Sequence, residues 1–210
     1  GKLYSTGNMN IDTTKVLNDA AIDIIWQGSL LEADAATAST TIKAGREAIT
    51  VDGDASESTE QTVTSFNNLV INQTATNTAN LIDVAGNQAD YVFTAKGDQT
   101  LLIANTGNDA YLINVQGATA TPSKVTFNLA NGDMQGLVNT TDESTLNLNL
   151  SDGATWQLAN NGNSSQATFT TLNLASANLI AHDSNKGDSF ADQSTSNFDL
   201  RGNVVANNSQ

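Results

Sequence analysis

The chain has 210 residues, 39% of them apolar and only 14% charged, so its polarity comes from Asn, Thr, Ser, Gln and Gly. The apolar residues are regularly spaced and proline occurs once, which excludes disordered, polyproline and collagen-like chains. A net charge of −14 repels phosphate and so makes nucleic acid and anionic membranes poor partners, none being expected, and the absence of cysteine excludes disulfide scaffolds and thiolate metal sites.

Residues 1–16 are polar and unpatterned, with Leu3-Tyr4 as their main apolar foothold. Ile22, Ile24 and Trp26 then alternate with Asp23 and Ile25, which predicts a strand; a helix over 16–26 is the rival reading. Leu30-Leu31 follows a turn at Gln27-Gly28, and the Ala-, Thr- and Ser-rich residues 32–41 read as a loop or short helix. Residues 48–51 are a short strand, 52–62 an acidic insertion, and 67–72 (NNLVIN) another strand. No run approaches the ~20 apolar residues of a membrane helix, so no direct membrane insertion is expected.

Repetition begins in earnest at residue 80. Four seven-residue units end in Gly: 80–86 (NLIDVAG), 91–97 (YVFTAKG), 101–107 (LLIANTG) and 111–117 (YLINVQG), their starts 11, 10 and 10 residues apart. Further on, residues 125–132 (VTFNLANG) align with 146–153 (LNLNLSDG) at an offset of 21, and 170–177 (TTLNLASA) follow at 24. In Leu146-Asn147-Leu148-Asn149-Leu150 the period of two puts leucines on one face and asparagines on the other. Twice the ten-residue spacing is close to 21, which predicts an all-β, parallel β-helix of roughly 21 residues per coil, with neighbouring units on different faces. About ten coils stacked ~4.8 Å apart would make a rod of roughly 50 Å. Asn suits its corners, tolerating left-handed backbone, and can form side-chain ladders between coils. An antiparallel meander or sandwich is the alternative. The chain reads as one domain over 1–210, less regular over 1–47 and repetitive over 48–210.

The stretch LNLNLSDGATWQL at 146–158, followed by NNGNSSQATFTTLNL at 160–174, resembles the passenger domains of pertactin-like autotransporters of Gram-negative bacteria. There a leucine-alternating strand leads into a short G-A-x-W segment, a polar loop, and a second leucine-alternating strand. Gly153, Ala154 and Trp156 occupy that segment here, and Phe169, Leu172 and Leu174 the following strand. The match is specific over about 144–180, and the earlier Leu- and Gly-punctuated units are compatible with it but not diagnostic. The resemblance implies a right-handed helix, exported through an outer-membrane barrel and displayed on the cell surface. The barrel is not among these residues, so the chain would be a passenger segment. A chain without cysteine suits passage through a pore unfolded.

Motifs that suggest chemistry lack their partners. Gly187-Asp188-Ser189-Phe190 resembles serine hydrolase signatures, but the sole histidine, His182, lies upstream of the serine, and Phe190 stands where proteases carry Gly. His182-Asp183 offers one imidazole where zinc needs three or four ligands. Asp52, Asp54 and Ser56 begin like an EF-hand loop, yet Glu57 replaces its Gly and Val63 its last Glu. With Glu60 they read as a solvated acidic loop, as do Asp183, Asp188 and Asp192, each with a loose Ca²⁺ site as the alternative. A lyase acting on acidic sugars would need clustered Lys and Arg, and only 8 basic residues are present, none clustered. Trp26 and Trp156 fall in alternating segments and read as core residues or coil caps. Arg201-Gly202-Asn203 is not an integrin-type RGD, and sequons such as Asn72-Gln73-Thr74 are expected by chance in so Asn- and Thr-rich a chain.

The expectation is therefore a non-catalytic, surface-displayed stalk and adhesin, with no catalytic, metal or cofactor residues and no cofactor. Its partner would be a receptor or glycan on a host or neighbouring cell, or another copy of itself. A carbohydrate-active β-helix enzyme and a Ca²⁺-dependent binding module are the alternatives.

Overall fold

A computed structural model describes residues 1–25, 27–52, 60–74, 76–86, 88–105, 110–141, 143–159, 164–181 and 198–210. Its described elements are all strands, laid down coil by coil. The first coil holds β1 (Lys2–Tyr4), β2 (Met9–Thr13) and β3 (Ile22–Ile24); the second β4 (Leu30–Ala33), β5 (Thr40–Ala44) and β6 (Ile49–Val51). The third holds β7 (Thr62–Asn67), β8 (Leu69–Gln73) and β9 (Ile82–Val84); the fourth β10 (Asp90–Lys96), β11 (Leu101–Ile103) and β12 (Ile113–Val115). In the fifth are β13 (Lys124–Ala130), β14 (Asp133–Gln135) and β15 (Val138–Thr140). Then come β16 (Thr145–Ser151) with β17 (Thr155–Leu158), β18 (Gln166–Ala175) with β19 (Asn178–Ala181), and β20 (Asp199–Asn207).

Each strand pairs in parallel with its counterparts in adjoining coils, which defines a parallel β-helix with three sheets. The first sheet runs β1-β4-β7-β10-β13-β16-β18-β20, the second has seven strands from β2 to β19, and the third has five from β3 to β15. Eight rungs at ~4.8 Å make a rod shorter than ten coils would. The reason is coil length. The 21-residue coil is real at one step, where Lys124 pairs with Thr145, and 24 residues separate Asn149 from Asn173. Elsewhere Lys2 pairs with Leu30, Leu30 with Val63, and Tyr91 with Val125, steps of 28 to 34 residues.

The ten-residue units are sides of a triangle, not halves of a coil. NLIDVAG holds β9 in the third sheet, YVFTAKG holds β10 in the first, LLIANTG holds β11 in the second, and YLINVQG returns to the third with β12. Ile82 accordingly pairs with Ile113. Twenty-one residues is the shortest three-sided coil among the described residues, with 131–132 and 136–137 as two of its corners. Longer coils add residues at corners and leave the strands in register.

Three readings of local structure need correction. Residues 1–16 carry β1 and β2, which pair with β4 and β5 although few of their side chains are apolar. Residues 32–41 are neither all loop nor helix, since Glu32 and Ala33 complete β4 and Thr40 and Thr41 open β5. NNLVIN is divided as well. β7 ends at Asn67, Asn68 turns the corner at φ 50°, and β8 starts at Leu69.

That corner is stacked down the rod. Asn68, Gly97, Asn131, Asp152, Ser176 and Asn208 all have positive φ where the first sheet gives way to the second. The N–H of Asn68 donates to the Lys96 carbonyl, Gly97 to Ala130, Asn131 to Ser151, Asp152 to Ala175, and Ser176 to Asn207. Asn and Asp tolerate left-handed backbone better than other side chains. Gly97 must be glycine for a second reason: a Cβ there would lie 2.2 Å from the Asn68 side-chain oxygen.

Inside, side chains stack in columns. In the first sheet Phe93, Phe127, Leu148 and Leu172 pair in turn, all essentially inaccessible. The Phe93 and Phe127 rings lie parallel, centroids 4.7 Å apart, and Phe66 approaches Phe93 at 6.0 Å. In the second sheet the column is Ile42, Ile71, Leu102, Met134 and Trp156. Fully burying each such side chain contributes about 1.5–3 kcal/mol. Trp156 is a core residue, as its alternation predicts. Its indole N–H donates to the Gly136 carbonyl at 2.9 Å, and its ring meets Phe169 edge-on at 6.1 Å.

Candidate functional site

The outward faces of the sheets are where this chain can meet a partner. In β16 the leucines are buried and Asn147 and Asn149 remain partly exposed. The parallel register then places like residues one rung apart. Asn173 donates through Nδ2 to Asn149 Oδ1 at 2.7 Å, Asn149 to Asn128 Oδ1 at 2.8 Å, and Asn128 to Thr94 Oγ1 at 3.2 Å. A second ladder climbs the third sheet. Asn139 donates to Asn114 Oδ1 at 2.9 Å, and Asn114 donates to Asp83 Oδ1 at 2.8 Å. One rung below that sheet's β9, Thr50 donates to Asp23 Oδ1 at 2.7 Å.

Asn128 and Asn149, both partly exposed, each use one N–H and one carbonyl lone pair on their neighbours. An amide has two N–H donors and two lone pairs, so one of each stays available. The first-sheet face thus presents donors and acceptors repeating at the ~4.8 Å coil rise. Such a surface suits a partner of matching extended periodicity. The same bonds tie adjacent coils together. Changing Asn149 to Ala removes two of them, and water can reach the partners left behind. The expected loss is about 1 kcal/mol in urea unfolding, with circular dichroism unchanged.

The third-sheet face also gathers acids. Asp23 and Asp83 project from β3 and β9, and Asp52 follows β6, its N–H donating to the Ile24 carbonyl at 2.9 Å. Partial desolvation, then repulsion by Asp23 and Asp83, hold the Asp52 carboxyl above the ordinary 3.8. Between 3.8 and that raised value the folded chain binds more protons than the unfolded one, so this group makes stability fall as pH rises through the window. Asp52→Asn is therefore expected to raise the melting temperature slightly at pH 7. The gain should vanish below pH 3.8, where both forms of the group are protonated. Calorimetry at the two pH values measures it.

No group of three or more His, Asp or Glu placed to hold a metal ion occurs among the described residues. Of the acidic-loop residues singled out in the sequence, Asp52 and Glu60 are described, while Asp54, Ser56 and Glu57 lie outside the described residues. So do Trp26, His182, Asp183, Asp192 and the Gly187-Asp188-Ser189-Phe190 motif. Tyr91, which could pass for a nucleophile, is fully buried; its hydroxyl lies 2.6 Å from that of Thr64, and burial pushes its ionisation above the usual phenol range.

Two of the hollows lined by described residues bear on a binding site. One, of about 360 Å³, opens at the amino-terminal mouth of the coil between Leu3, Ile22, Ile24 and Leu31. The other, of about 330 Å³, lies at the corner near Arg46, Glu47, Asn77 and Thr78. Its charges are committed: Arg46 sits 3.0 Å from Glu47 and donates to the Asn18 carbonyl at 2.8 Å.

The third-sheet ladder was missed in the sequence, although a signal existed. The triplets Ile22-Asp23-Ile24, Ile49-Thr50-Val51, Ile82-Asp83-Val84 and Ile113-Asn114-Val115 each put one polar residue between two β-branched ones, once per coil.

The architecture and its polar ladders define a parallel β-helical solenoid with repetitive polar outer faces. Comparisons with protein-family models, with curated proteins and with solved structures yield no match to this chain.

Proposed function

We propose that this chain is a segment of an autotransporter passenger, displayed on the surface of a Gram-negative cell as a structural stalk and adhesin. The observation that carries the reading is the Asn ladder of the first sheet, which is both rigid and repetitive. Stacked coils bonded inside and out make a shaft that resists bending, and the free half of each amide makes its flank adhesive. The agreement of 144–180 with the pertactin-like pattern supports the export route. Net charge of −14 supports solubility at a cell surface and repulsion of nonspecific anionic partners. The partner would be a receptor or glycan on another cell.

The test is display. The chain is joined to an outer-membrane barrel and expressed in a non-adherent Gram-negative strain. Surface exposure is read by protease shaving of intact cells, and adhesion by binding to epithelial monolayers and to sister cells. Adhesion above that of the barrel alone, lost when Asn128, Asn149 and Asn173 are changed together to Ala, supports the reading. Full surface display with adhesion no greater than the barrel alone overturns the adhesin role.

A further inference from the structure

The corners that follow β2, β5 and β8 stack where the second sheet gives way to the third. Gly45 lets the first two close, since a Cβ there would lie 2.7 Å from the Thr13 and Val16 carbonyl oxygens. Asn77 ties the second corner to the third. Its Nδ2 donates to the Arg46 carbonyl, and its Oδ1 accepts the Ala79 N–H at 2.9 Å. Gln73 donates to the same Arg46 carbonyl at 3.2 Å. Among these corners lies the hollow of about 330 Å³. Its backbone is held before any ligand arrives, which removes an ordering cost from binding.

The walls of the hollow keep unused bonding capacity. A guanidinium has five N–H donors. In Arg46 one goes to the Asn18 carbonyl at 2.8 Å and Nε faces Glu47 Oε2 at 3.0 Å, so the other N–H groups have no acceptor among the described residues. A carboxylate can accept several bonds, and Arg46 is the only partner of the Glu47 side chain among the described residues. Thr76 and Thr78 are exposed, and their hydroxyls have no partner among the described residues. Leu17 supplies an apolar wall. The facing guanidinium and carboxylate cancel, so the hollow has spare donors and acceptors without net charge. An anion would meet Glu47 and a cation Arg46. A hydroxyl, which both donates and accepts, satisfies both.

We propose that this hollow binds one uncharged sugar ring, with Arg46 and Glu47 on neighbouring hydroxyls, Thr76 and Thr78 on a further one, and Leu17 against the ring's C–H groups. The planar guanidinium fork presents parallel N–H groups to two oxygens at once. The carboxylate beside it accepts the protons that those hydroxyls carry. A volume of about 330 Å³ stands at the lower end of ligand pockets, about 300–1,000 Å³, and suits one ring better than a chain of them. The site goes beyond the adhesin reading. It lies on the corner between the second and third sheets, away from the Asn ladder of the first, and needs neither display nor that ladder.

The experiment is titration of the purified chain with the methyl glycosides of glucose, galactose, mannose and fucose, read by saturation-transfer NMR and calorimetry. The expected result is a dissociation constant on the order of 1 mM for at least one of them. Arg46→Lys keeps the charge that faces Glu47 and loses the fork, and Thr78→Val keeps the shape and loses the hydroxyl. Each should weaken binding at least about tenfold, with a thermal melt matching the parent. Should Arg46→Lys lower the melt, Thr78→Val, at an exposed position, decides alone. The chain with Asn128, Asn149 and Asn173 changed together to Ala should bind the sugar as the parent does. Binding of none of the four glycosides at about ten times that concentration overturns the proposal. So does binding that Thr78→Val leaves unchanged, tighter binding of glucuronate than of any neutral sugar, or loss of binding in the triple Asn variant, which would place the sugar on the ladder.

Discussion

Replacing Phe127 by Ala is expected to lower the free energy of unfolding by about 3–5 kcal/mol. The ring is 1% exposed and lies flat on Phe93 at a centroid distance of 4.7 Å. On its other side it pairs with Leu148. A globular core can shift helices or loops into a void, but this one cannot collapse easily. Coil spacing is held by backbone hydrogen bonds on each sheet and by the Asn128–Asn149 bond outside. The void would therefore remain, adding the cavity penalty to the lost transfer energy. Stacked coils touch only their neighbours, so the damage should also show as reduced cooperativity, with the two halves of the rod melting apart. Urea unfolding followed by circular dichroism measures both. Phe127→Leu, which refills most of the space, should recover the larger share. A loss below about 1 kcal/mol for Phe127→Ala would mean that the column is not tightly packed.

An alanine inserted between Asn147 and Leu148 is expected to abolish the folded state of the coils around it. The strand alternates strictly, so one extra residue sends Leu148 and Leu150 to solvent and Asn149 into the core. Burying amides without partners costs several kilocalories per mole, added to the lost leucine burial. Two residues inserted instead between Thr6 and Gly7, in the exposed corner between β1 and β2, should cost no more than about 0.6 kcal/mol, the entropy of lengthening a loop. The contrast follows from the natural variation. Coil steps range from 21 to 34 residues while the columns from β7 to β16 keep their register, and the one shift in the first sheet's pairings lies between Thr168 and Thr171. Protease resistance of the two insertion variants separates them: the corner variant should match the parent, and the strand variant should be digested. Equal resistance would show that register in β16 is not held by its buried face.

Much of the fold was legible because a strand writes its burial into the sequence. The leucines and asparagines of β16 declared both faces, and the offsets to β13 and β18 declared the parallel stack. β1 and β2 were not legible. Only Leu3, Tyr4, Met9 and Ile11 are large and apolar there, and the strands are held largely by backbone bonds to the next coil. The candidate site was half visible. An Asn on a strand announces a possible ladder, but whether its neighbour one coil on is another Asn depends on how many residues fill the intervening corners.

By itself, the amino-acid pattern determined that this chain is made of short alternating strands that stack and cover a Leu-, Ile- and Val-rich interior. Side-chain alternation is a local property, set by the pleat and readable residue by residue. Only the tertiary structure decided that three sides make a coil and that Asp83, Asn114 and Asn139 form one line. Those relations join residues 20 to 35 positions apart through corners of unequal length, and hydrogen bonding between coils, not local preference, sets which residues meet.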